Sequence, residues 1–236
     1  RYLKMDSLAE VSQSLSRSNL LYSYLETRSL KNLNVSEFDL GIGIDKQFKI
    51  KSKFYSFNRC LVVPVRSIYG KICAIYYRKQ NDHGFVTDGN KSLSYLWNFY
   101  NTLTFTNPDW IILCEGVFDS LSFESIGCKS VSLLTFNFSY RQVRDLSRYF
   151  NRYIICLDNE TAASEASRSL SNLLLSKDCI VRSINTSPYK DPNEALKSLG
   201  PKFSDFIKSK LGFLPTYTER ILESESDITL GASNEI

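Results

Sequence analysis

Metal-ligating pairs are scarce in this sequence. It holds one histidine, His83, and its six cysteines (Cys60, Cys73, Cys114, Cys128, Cys156 and Cys179) never fall at a CxxC spacing. That excludes the close ligand pairs of a zinc site, so no zinc is expected in the chain. Several of the cysteines lie inside apolar runs such as IILC and YIICLD and read as reduced, buried thiols. No run approaches the roughly 18 apolar residues of a membrane span. A secretory leader is also missing, although the chain opens at Arg1. The expectation is a cytoplasmic protein with no membrane partner. Strong charge of one sign is absent too: Lys plus Arg is 29 and Asp plus Glu is 25, a formal +4 that permits a polyanionic partner without requiring one. What is present, 43% apolar and 23% charged residues in 236, is the balance of a folded chain with one core or two small ones rather than a disordered one.

Apolar residues at three- and four-residue spacings over 1–30 (Leu3, Leu8, Val11, Leu15, Leu20, Leu21, Tyr24, Leu25) predict one or two amphipathic helices. Gly41 and Gly43 lack the third glycine and following helix of a phosphate loop and read as a turn. The text CLVVPVRSIYGKICAIYYRK over 60–79 predicts two strands joined at Tyr69-Gly70, the first irregular or at an edge because of Pro64. Residues 1–80 carry 14 Lys or Arg against 6 Asp or Glu, so the positive charge is concentrated at the front. Beyond the aromatic segment SYLWNFYNTLTF, strands at Trp110–Cys114, Val131–Leu134, Tyr153–Leu157 and Cys179–Ile184 alternate with helices over 117–126, 139–150 and 161–176. That alternation predicts an α/β fold with a parallel sheet covered by helices. After about Thr218 the composition turns acidic and poor in apolar residues, a loose tail.

Parallel sheets gather function at the carboxyl ends of their strands. Here IILC runs into Glu115-Gly116 with Asp119 one turn later, and YIICL runs into Asp158-Asn159-Glu160. A single acid after a strand is most simply a helix cap. Two such motifs on strands of one sheet are different, because neighbouring strand ends lie about 5 Å apart and two-step neighbours about 10 Å. Carboxylates that converge repel unless a cation or protons neutralise them, and an oxygen-rich site suits magnesium. Asp191, before Pro192, reads equally as a helix cap and as a further member of such a site.

The order of these motifs, EGxxD (Glu115, Gly116, Asp119), then Asp158 and Glu160 after an apolar strand, then DPNEAL, resembles the Toprim domain of DnaG-type primases. Pro64, Gly70 and Arg78 fit the PIxDxxGxxxxFxxR stretch that precedes Toprim in those proteins, and Arg28, Phe38 and Gly41 match an earlier segment loosely. In all, the resemblance covers about residues 25–200. The DNE form of the second motif, where bacterial primases have DxD and then Ala-Gly, is similar to that of T-even phage primases. The longer Glu160 moves its oxygens by about an angstrom relative to an aspartate. No counterpart of the zinc module that commonly precedes the primase core is found in the sequence.

The resemblance implies a Toprim parallel sheet flanked by helices over 108–200, preceded by a smaller mixed α+β basic subdomain over 1–107 and followed by a C-terminal helix and acidic tail over 201–236. It implies a phage-type DNA primase that joins ribonucleoside triphosphates into short RNA primers on single-stranded DNA with Mg2+ or Mn2+. A replicative helicase is the implied partner and, for a viral protein, the host cytoplasm the implied place. Asp158 and Glu160 would be metal ligands, Glu115 a ligand or proton acceptor, and Asp119 and Asp191 outer members. Arg66, Lys71, Arg78 and Lys79 would meet nucleic acid or nucleotide phosphates. Arg141, Arg144 and Arg148 read better as a solvent-facing helix stripe, and Trp97, Phe99 and Tyr100 better as core than as base-stacking residues. The rival readings are a Toprim nuclease or topoisomerase, and a catalytically altered Toprim protein that binds single-stranded DNA or a helicase.

Overall fold

The computed structural model describes residues 3–4, 8–13, 15–43, 47–50, 53–57, 59–79, 83–87, 94–135, 137–215 and 217–219. In the first part, β1 (Leu3–Lys4) and the helices α1 (Leu8–Gln13) and α2 (Asn19–Glu26) precede β2 (Gly41–Ile42), β3 (Gln47–Ile50), β4 (Lys53–Ser56), β5 (Leu61–Arg66), β6 (Ile72–Arg78) and β7 (His83–Thr87). Strands β2, β5, β6 and β7 form an antiparallel sheet in that order, and β1, β3 and β4 a second small sheet. The segment read as a turn is one over residues 35–39, but Gly41 enters a short strand, pairing with Val62 while Ile42 pairs with Leu61, and Gly43 follows that strand. That ladder stops before Pro64, and a bulge falls between Val65 and Arg66. A proline fits because it faces no β2 partner. Side chains of β5 alternate: Leu61, Val63 and Val65 enter one apolar cluster with Leu21 and Leu25 of α2, while Val62 enters another with Leu8 and Val11 of α1.

The second part begins with α3 (Phe99–Phe105) and β8 (Thr106–Pro108), then runs β9 (Ile111–Cys114), α4 (Val117–Glu124), β10 (Ser130–Ser132), α5 (Tyr140–Tyr149), β11 (Arg152–Cys156), α6 (Thr161–Leu175), β12 (Ile180–Ser183), α7 (Pro192–Leu199), α8 (Phe203–Leu211) and β13 (Tyr217–Glu219). Four strands make a parallel sheet in the order β10-β9-β11-β12. Strand β13 pairs with β8, so the chain is still paired at Glu219, and the rest of the expected acidic tail lies outside the described residues.

Alternation along the central strands sorts the helices. Ile112, Cys114, Ile154 and Cys156 face a cluster with Val117, Phe118 and Leu121 of α4, Leu196 of α7 and Phe203 and Ile207 of α8. Ile111, Leu113, Tyr153 and Ile155 face the opposite cluster with Val143 and Leu146 of α5 and Leu170 and Leu174 of α6. A sheet covered on both faces needs apolar residues at consecutive positions, which is why IILC and YIIC are unbroken apolar runs. The first cluster also contains α2, β5 and Trp97, so one core joins the front of the chain to the parallel sheet across the expected boundary at 107. Trp97 exchanges backbone hydrogen bonds with Ser132 of β10, and Phe99 is buried beside α5. Both aromatic residues are core, as their setting suggested.

A buried ion pair fastens the same junction. Lys129 and Glu124, each with a side chain 2% exposed, meet at 2.8 Å, and Lys129 also reaches Glu37 at 3.1 Å. Burial pushes the Glu124 carboxyl up to about 7 while Lys129 pulls it down. Asn98 and the backbone N–H of Ser130 donate to the same carboxylate.

Candidate active site

The strand order puts a reversal between β9 and β11. From β9 the chain passes through α4 on one face to β10. It then crosses back through α5 on the other face to β11, and α6 continues on that second face. Helices leaving β9 and β11 toward opposite faces open a crevice at the carboxyl ends of these two strands. Cys114 and Cys156 are register partners there, so Glu115, one residue beyond β9, and Asp158, two residues beyond β11, follow neighbouring strand ends. The N-terminus of α7 closes the crevice from the side and brings in Asp191 and Asn193.

The resulting cleft has a volume of about 360 Å3. Glu115, Asp119, Asp158 and Asp191 line it, together with Arg28, Arg78 and Lys190. The carboxylates sense one another. Burial, then Asp158 and Glu160, push the Glu115 carboxyl up to about 7, and burial, then Asp191 and Glu160, push Asp158 up to about 6, Lys190 opposing both. Asp119 is raised well above the ordinary range, first by burial and then by Asp191 and Asp158, although it accepts hydrogen bonds from the backbone N–H groups of Gly116 and Asn193, each at 3.2 Å.

Gly116 has φ −99, which any residue adopts, so the backbone conformation there does not call for glycine. The constraint is proximity: a Cβ on Gly116 would stand 2.6 Å from Asp119 Oδ2. The EGxxD spacing brings the fifth residue of the motif, Asp119, back over the second, Gly116, at the first turn of α4.

Asp191 caps α7, its Oδ1 accepting from the Glu194 N–H at 2.7 Å with Pro192 as the first helical residue, and it also lines the cleft. The two readings of this residue are compatible. Glu160 stands on the rim rather than in the lining: its carboxylate meets Lys190 Nζ at 3.0 Å.

Of the four cations expected to meet phosphates, Arg78 lines the cleft and shares a hydrogen bond with Tyr76. Arg66 points elsewhere, its Nε donating to Asp39 at 3.0 Å and its Nη1 to the Gly70 carbonyl at 2.6 Å. Lys71 is exposed at the β5–β6 turn, and Lys79 is part-exposed beyond β6. Arg144 pairs with its neighbour Asp145 at 2.7 Å, and Arg148 is exposed, as a solvent-facing stripe would be.

Sequence reasoning did not place Arg28, Lys190 or Asn193 in the site. Arg28 lies over the Phe118 ring, 4.6 Å from its centroid, and its carbonyl accepts from Asn193 Nδ2 at 3.1 Å. The match of Arg28 to an upstream family segment and the position of Lys190 beside Asp191 were the available signals.

The donor set fits a hard divalent cation, being carboxylate oxygens whose mutual repulsion such an ion would relieve. Asn193 adds to the fit: the residue lines the same cleft, and its Oδ1 is, among the described residues, the one buried side-chain oxygen or nitrogen without a hydrogen-bond partner. The side chains do not stand in the closed arrangement of a formed site, because among the described residues no three His, Cys, Asp or Glu groups are placed to hold an ion together. All six cysteines are buried free thiols.

Comparison with known proteins places these features. Residues 112–196 match the model of a Toprim-like family. A DNA primase of Thermotoga maritima is 33% identical over 92 residues, which is 39% of this chain and 16% of that protein. The structure of the Aquifex aeolicus primase zinc-binding and RNA polymerase domains superposes with a TM-score of 0.69 at 21% identity, covering 86% of this chain and 60% of that one. A DnaG primase catalytic domain bound to single-stranded DNA gives 0.68 at 17% identity, covering 88% and 78%. The chain therefore spans about a sixth of the curated relative's length and 60% of the Aquifex chain. No helix among the described residues is long and apolar enough to cross a membrane. From β9 to α7 the chain resembles a Toprim-like domain, and the fold around it matches that of DnaG catalytic cores.

Proposed function

We propose that this chain is the polymerising core of a phage-type DNA primase, which extends RNA primers on single-stranded DNA from ribonucleoside triphosphates in the host cytoplasm, beside a replicative helicase. The observation that carries the reading is the meeting of four carboxylates and three cations in one cleft at the switch point of a Toprim sheet. Asp158 and Glu160 would hold a divalent cation, with Glu115 as a further ligand or as the acceptor of the 3′-hydroxyl proton, and Asp119 and Asp191 as outer members. When bound, Mg2+ or Mn2+ supplies charge neutralisation to the α-phosphate and to the leaving pyrophosphate. Arg28 and Arg78 reach the cleft from the front of the chain and would bind and orient phosphates. Asp119, fixed by two backbone N–H groups, keeps the loop after β9 in register with α7.

The test is primer synthesis on a panel of single-stranded templates with ribonucleotides and Mg2+, with and without a helicase. Short RNA products that Asp158→Ala and Glu115→Ala abolish support the reading. Shortened template instead marks a nuclease. Template binding unchanged by both substitutions and without product marks a binding module.

A further inference from the structure

Lys190 lies at the centre of a charge imbalance. Its ammonium is 3.0 Å from Glu160 Oε1, with the two side chains 58% and 62% exposed. It also acts electrostatically on Asp158, Asp191 and Glu115. A pair so exposed is weak and exchanges readily with solvent ions. The backbone of the same residue is held on both sides. Its N–H donates to Glu194 Oε2 at 2.6 Å, and its carbonyl accepts from the Asn159 N–H at 2.9 Å. Asn159 is the middle residue of the Asp158–Glu160 motif, so the loop that carries Lys190 is tied to the loop that carries Glu160. Asn159 Nδ2 adds a second tie to the Tyr189 carbonyl. A fixed base with a flexible four-carbon stem lets the ammonium move while its root stays beside the motif.

We infer that Lys190 is a positioning residue that competes with a divalent cation for Glu160, holding that carboxylate on the rim and yielding it when an ion enters the cleft. The inference rests on reading the cleft as a cation site. An ion at Asp158 and Glu160 would put two positive charges near the ammonium. At about 6 Å in water-like surroundings that repulsion corresponds to about tenfold in an equilibrium constant, and salt screening lowers it to about three- to tenfold. The displaced ammonium then stands free at the cleft mouth.

The experiment is Mn2+ binding to the full chain without nucleotide, read from the free-ion electron paramagnetic resonance signal. Lys190→Gln should bind Mn2+ about three- to tenfold more tightly than wild type. Lys190→Arg, which keeps the charge, should bind as wild type does, and the gain from Lys190→Gln should shrink when Glu160 is also Gln. Loss of a merely structural contact would weaken binding, so tightening separates the two roles. Wild-type binding that Lys190→Gln leaves unchanged, or a gain undiminished in the Glu160→Gln background, overturns the inference and spares the cation reading. No Mn2+ uptake by any of these proteins overturns both.

Discussion

Glu115 offers the sharpest test of the convergence of charge in the cleft. Its carboxyl is raised from 4.5 to about 7, first by burial and then by Asp158 and Glu160. The folded state therefore binds this proton more tightly than the unfolded chain does. Such a group costs no stability below the unfolded value near 4.5. The cost grows between 4.5 and about 7 and is complete above that. At about 1.4 kcal/mol per pH unit the full conversion is about 3 kcal/mol, and screening at a half-buried group reduces it to about 1–2 kcal/mol. Glu115→Gln keeps the shape and removes the charge. At pH 8 it should raise stability by that amount, or about 2–8 °C in melting temperature for a chain of this size, and the gain should shrink toward zero at pH 5. Adding Mg2+ should stabilise wild type more than the variant, because the ion relieves the repulsion that glutamine already lacks. Calorimetry at the two pH values, with and without Mg2+, decides it. A variant no more stable than wild type at pH 8, or a gain equal at both pH values, refutes the claim that these carboxylates meet.

Other consequences follow from neighbouring contacts. Lys129→Met leaves Glu124 buried beside an apolar chain and should cost about 3–5 kcal/mol in urea unfolding, with much of the loss recovered when Glu124 is also made Gln. Gly116→Ala places a methyl 2.6 Å from Asp119 Oδ2, so it should displace that carboxylate and weaken Mn2+ binding while the far-ultraviolet spectrum stays native. Arg66→Met should lower stability by about 1 kcal/mol through loss of Asp39 and Gly70 contacts and leave the salt dependence of single-stranded DNA binding unchanged. Arg78→Met should reverse that pattern, flattening the salt slope by close to one counterion with little effect on unfolding.

The parallel sheet was legible because its strands are buried on both faces, and IILC and YIICL are apolar at every position for that reason. Helix limits came within a few residues, since Ser139 and Asp191 cap α5 and α7 by side-chain hydrogen bonds that leave a plain signature. The acids were legible as a set because each follows a strand. Their surroundings were not. Arg28 comes to the cleft from the far end of the chain, and the contact that holds it there, Asn193 Nδ2 to its carbonyl, joins residues 165 positions apart. Periodicity carries no information at that range. The β3–β4 hairpin went unread because its strands are short, polar and joined without a glycine or proline. Arg66 shows the opposite failure. Its place in a basic segment suggested phosphate, but Asp39, in the turn ahead of β2, lies within hydrogen-bond reach and takes the charge. The basic segment thus divides between two tasks: Arg66 and Asp39 fasten the antiparallel sheet, whereas Arg78, at the end of β6, remains turned toward the acids. Which arginine meets the cleft is set by strand register against β5, where Arg78 pairs with Leu61 and Ile72 with Arg66. Moving that register by one residue would carry Arg78 to the other face of the sheet and leave the carboxylates without it.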